Sequence, residues 1–103
     1  MFSFLRNLFG PKADIAALHS SGAKLIDVRT PKEFSQHSIP GSSNHPVQSL
    51  KANLNAIGKK EDHYIVYCAS GVRSGMAKKM MKANGFENVV NGGGIQSVFN
   101  KIS

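Results

Sequence analysis

The single cysteine of this 103-residue chain, Cys68, opens the run Cys68-Ala69-Ser70-Gly71-Val72-Arg73-Ser74. A lone thiol is either a small buried hydrophobe or a reactive group, and its surroundings decide which. Here the apolar run HYIVYC, with its β-branched and aromatic residues, predicts a strand over 63–68. A loop of small residues follows, and a helical period begins near Arg73. Ligands of open α/β sheets bind outside the carboxyl ends of the strands, where this spacing puts Cys68. The backbone N–H groups of residues 69–72 can turn inward as an anion cradle, and the helix N-terminus behind them adds partial positive charge. Arg73 adds a full charge and a planar fork of donors. Gly71 allows backbone geometry that a side chain would block, and Ser70 and Ser74 supply hydroxyl donors. Together these favour a thiolate, hence an activated nucleophile at Cys68 beside a site for a small oxyanion. Four residues separate Cys68 from Arg73.

The elements that must hold this loop alternate. The pattern predicts a helix over 12–20 ended by Gly22, a strand over 23–28, and one or two helical turns in PKEFSQHS. A tight bend at Ile39-Pro40-Gly41 follows, then a helix over 47–57. Beyond the HYIVYC strand come a helix over 73–84 stopped by Asn84-Gly85, a strand over 88–90, a turn at Gly92-Gly93-Gly94 and a last helix over 95–101. Met76, Met80 and Met81 are expected in the core. Alternating strands and helices imply an α/β fold with parallel pairing and right-handed crossovers. The length fits one domain. Residues 1–11 read as an N-terminal extension and 12–103 as the domain. In the extension Phe2, Leu5, Leu8 and Phe9 share a helical face, expected to pack on the domain itself.

Hydrophobic residues make up 41% of the chain and charged residues 18%, as in a globular protein. The formal charge of +7 draws anionic partners. The Lys and Arg residues are scattered and no nucleic-acid motif accompanies them, so nucleic acid is not the expected partner. One cysteine rules out an internal disulfide. His19, His37, His45 and His63 lack metal-ligand spacing, and no metal or cofactor is expected. The triple glycine lacks a phosphate-loop context. No transmembrane run or cleavage site is visible, which predicts the cytoplasm and no stable membrane insertion. Asp27 and Arg29 follow the first strand. Local pairing of Arg29 with Glu33, with Asp27 tying down loop backbone, is expected there.

CASGVRS resembles the active-site loop of rhodanese domains, commonly Cys-x-x-Gly-x-Arg-Ser. LIDVRTPKEF is similar to that family's Asp-Val-Arg strand end with its acidic-aromatic pair. SIPGSSNHP resembles its Ile-Pro-Gly-Ala segment, and GFENVVNGGGIQSV its closing strand, Gly-Gly turn and last helix. The resemblance covers about residues 12–102. His37 stands one place earlier than the family's usual histidine, and Val98 replaces a usual tryptophan. The resemblance implies a three-layer α/β fold with a central, mainly parallel sheet flanked by helices. It also implies a persulfide intermediate on Cys68, cradled by Ala69, Ser70, Gly71, Val72, Arg73 and Ser74. The expected reaction is double displacement, moving sulfane sulfur from a small anionic donor such as thiosulfate to cyanide, a thiol or a protein acceptor. The competing expectation is a rhodanese-like binding or sulfur-relay module without catalysis of its own.

Overall fold

The computed structural model describes residues 14–103. The proposed extension, its Phe2, Leu5, Leu8 and Phe9 face, and the start of the first predicted helix therefore lie outside the described residues. Strand β3 (His63–Cys68) shows why the chain layers as it does. Successive side chains of a strand point to opposite faces. Tyr64, Val66 and Cys68 enter one apolar cluster, with Ile26, Leu50, Ile57, Ala77, Met81 and Phe86. Ile65 and Tyr67 enter another, with Ile15, Leu25, Ile39 and Val98. Both faces being buried, the strand reads as a continuous apolar run rather than an alternating one.

Around β3 lie β1 (Lys24–Asp27), β2 (Ser43–Asn44) and β4 (Asn88–Gly94), in the sheet order β2-β1-β3-β4 with every pairing parallel. Helices α1 (Ile15–Ser20) and α5 (Ile95–Ile102) cover one face. Helices α3 (Leu54–Ile57) and α4 (Val72–Ala83), with the preceding 3-10 turns, cover the other. The result is the predicted three-layer α/β fold. Helix α2 (Pro31–Gln36) follows β1 and opens with a capping box, in which Thr30 and Glu33 bond each other's backbone N–H.

Three expectations need correction. The helix expected over 47–57 is two 3-10 turns and one short α-helix, broken at Asn53, whose φ of −119° and ψ of 20° leave the helical region. Ser43–Asn44 pairs with β1 as a fourth strand too short to carry a pattern. The triple glycine belongs to β4: the pairing passes from Val66–Asn91 to Tyr67–Gly93, leaving Gly92 as an extra residue in a bulge. Space explains the residue type. A Cβ on Gly92 would lie 2.8 Å from Val98 Cγ2, and one on Gly94 would lie 2.6 Å from the Ala69 carbonyl oxygen. The end of β4 is thus pressed against the loop after β3. No helix among the described residues is long and apolar enough to cross a membrane.

Candidate active site

Cys68 is the last residue of β3 and is 1% exposed, so its thiol lies at the floor of the loop formed by residues 69–72. Gly71, at φ +99°, turns the chain back over the sulfur, in a conformation that favours glycine. A Cβ there would also lie 3.3 Å from Gly93 Cα. The turn aims Gly71 N–H at Sγ, 3.0 Å away, and α4 begins at once. Ser74, fully buried in the first turn of α4, brings its N–H and its hydroxyl oxygen each to 3.4 Å from Sγ. Burial pushes the Cys68 thiol up. The Ser74 hydroxyl and the N–H groups of Ser74, Ser70 and Gly71 outweigh it, and the net displacement is downward from the ordinary thiol value. Ala69 and Ser70 are exposed at the rim, and Val72 faces solvent from the first turn of α4.

Arg73 does not point its fork at the sulfur. Its Nη1 and Nη2 donate to Glu33 Oε1 at 2.7 Å and Oε2 at 3.1 Å, joining α4 to α2 across 40 residues of sequence. This pairing, with the Thr30 N–H, holds the Glu33 carboxyl down to about 2. Arg29 therefore does not pair with Glu33 as the sequence suggests. Its Nη2 and Nε grip Asp27 Oδ2 at 2.7 and 3.0 Å, both residues buried, and Nη2 also donates to the His37 carbonyl. Asp27 does tie down loop backbone, accepting the Arg29 N–H at 2.9 Å. Asp27 and Arg29 form a buried brace and His37 contributes its carbonyl to it. Met76, expected in the core, faces solvent beside Val72, while Met80 and Met81 pack inward.

Sequence reasoning passed over Asn91. Its Nδ2 donates to the Gly71 carbonyl at 3.1 Å, and its Oδ1 accepts from the Gly93 N–H at 2.9 Å and the Ser74 hydroxyl at 2.7 Å. The signal was present: an Asn ahead of glycines commonly bonds the N–H two residues on. No group of His, Cys, Asp and Glu placed to hold a metal occurs among the described residues.

The Rhodanese-like domain profile matches residues 12–100, and the chain belongs to that family. It is 35% identical over 74 residues to the thiosulfate sulfurtransferase PspE of Escherichia coli, covering 71% of each chain. It is 35% identical over 86 residues to the thiosulfate:glutathione sulfurtransferase of Saccharomyces cerevisiae, covering 72% of this chain and 62% of that protein. Its structure superposes on the human single-domain sulfurtransferase TSTD1 with a TM-score of 0.75 at 28% identity, over 91% of this chain and 99% of that one.

Proposed function

We propose that this protein is a thiosulfate sulfurtransferase that carries sulfane sulfur as a persulfide on Cys68. The observation that carries the reading is the convergence of Gly71 N–H, Ser74 N–H and the Ser74 hydroxyl on the one sulfur at the carboxyl end of β3. The two sulfurtransferase relatives support the same class of donor. The Cys68 thiolate attacks the terminal sulfur of thiosulfate, the S–S bond of the donor breaks, and sulfite leaves with the electron pair. The negative outer sulfur of the persulfide is stabilised by the loop's N–H donors. Cyanide or a thiol then attacks that sulfur, and the Cys68 thiolate is regenerated. Residues 69–74 form the binding loop, with Arg73 closing its rim.

The test is the intact mass of the protein after incubation with thiosulfate. It should gain one sulfur atom, mapped to Cys68 and removed by cyanide, and Cys68→Ser should neither gain it nor turn over thiosulfate with cyanide. No adduct with thiosulfate, polysulfide or mercaptopyruvate would sink the reading. With only four residues between Cys68 and Arg73 the loop is a small ring, and p-nitrophenyl phosphate should not be hydrolysed. Delivery of the sulfur to a protein acceptor is the second reading. The exposed Val72 and Met76 on successive turns of α4, beside the loop, favour it.

A further inference from the structure

The Asn91 amide can sit only one way round. Its Oδ1 faces the Gly93 N–H, which cannot accept, and its Nδ2 faces the Gly71 carbonyl, which cannot donate. Flipping it would set donor against donor and acceptor against acceptor. The Ser74 oxygen, 2.7 Å from Oδ1, must therefore be the donor in that contact. A hydroxyl has one proton. Committed to Asn91, it leaves Ser74 facing Cys68 Sγ at 3.4 Å with lone pairs, suited to a thiol S–H and unsuited to a thiolate. To bond the thiolate, Ser74 must swing its proton off Asn91.

We propose that Asn91 is a positioning residue that competes with Cys68 for the single hydroxyl proton of Ser74, and so limits how far the loop stabilises the thiolate. This deepens, and rests on, the reading of Cys68 as a thiolate nucleophile. The competition serves turnover: the nucleophilicity of a thiolate falls as its basicity falls, so a sulfur over-stabilised by every donor in reach would attack its donor more slowly. Asn91 also holds the Gly71 carbonyl, keeping the loop turned while it withholds the proton.

Asn91 is solvent-exposed and lies in a strand, so Asn91→Val should fold while covering Ser74 without accepting from it. The experiment is the pH profile of iodoacetamide alkylation for the wild type, Asn91→Val, Ser74→Ala and the double variant, with Asn91→Ala as a second replacement. The expected result is a midpoint lowered by about half a pH unit in Asn91→Val, a shift corresponding to about 0.7 kcal/mol. It should shrink to nothing when Ser74 is already Ala, since the effect runs through that hydroxyl. A rise in both backgrounds would mean that Asn91 merely braces the loop, and would overturn the proposal. No shift would overturn it too. A wild-type midpoint at the free-thiol value would instead refute the activated nucleophile itself, a failure of the parent reading distinguishable from this one.

Discussion

Two arginine–carboxylate pairs stand at the carboxyl end of the sheet, one after β1 and one after β3, and they differ in almost every respect that matters energetically. Arg29 and Asp27 are two positions apart in sequence, and their side chains are 3% and 0% exposed. Arg73 and Glu33 are 40 residues apart in sequence, with side chains 32% and 33% exposed. Burial makes the first pair costly to break. Removing one partner strands a charge in low dielectric, whereas water replaces the partner of a pair one-third exposed at little cost. The first pair is a brace for the frame of the site. The second is a clasp between the α4 turn that carries Ser74 and the capped end of α2.

The largest effect should follow from Asp27→Ala, which leaves the Arg29 guanidinium buried and unpaired. A loss of about 3–5 kcal/mol is expected, seen in thermal unfolding as a fall of at least about 12 °C. Replacing both residues, Asp27→Leu with Arg29→Met, should restore most of it, because no charge is then stranded. Equal damage in the single and double variants would show that shape, rather than charge, is what the pair supplies.

Arg73→Ala should cost no more than about 1 kcal/mol of stability. Its informative consequences are kinetic. The thiosulfate KM should rise several-fold, whereas the alkylation midpoint of Cys68 should move by less than about half a unit, since the donors on Sγ are the Gly71 and Ser74 N–H groups, with the Ser74 hydroxyl shared between Sγ and Asn91. A larger upward movement, of about 1.4 kcal/mol per unit, would make Arg73 a direct stabiliser of the thiolate and erase the contrast drawn between clasp and cradle.

The smallest effect is the acid limb of stability. Glu33 titrates at about 2 in the folded protein, below its ordinary 4.5. A depressed carboxyl contributes stability that is fully present above the unfolded value and is lost as pH falls through the folded one. Folding should therefore weaken between about pH 4.5 and 2, by less than about 1 kcal/mol for so exposed a pair. Glu33→Gln should flatten that limb, as chemical denaturation at pH 3 and pH 6 would show. A limb unchanged in Glu33→Gln would place the acid sensitivity elsewhere.

The sequence by itself determined the layered α/β architecture, because the mainly apolar runs HYIVYC and AKLIDV alternate with helical periods, a pattern that calls for a parallel sheet covered on both faces. It also determined the cysteine at a strand's carboxyl end, the small-residue loop and the glycine at its turn, all encoded within the short run from His63 to Gly71. These are local properties, set by side-chain type and backbone preference at short range. It could not determine how the charges are shared. Arg29 has Glu33 four residues away, yet it takes Asp27, because α2 carries Glu33 out toward the start of α4 while Asp27 stays buried beneath Arg29. Nor could it determine that Asn91 reaches both Gly71 and Ser74. That contact exists because β4 lies parallel to β3 with a bulge at Gly92, and because Gly94 has no Cβ to hold the Ala69 carbonyl away. Register and close approach are decided when the strands pack, where a spacing of a few tenths of an ångström selects which donor meets which acceptor.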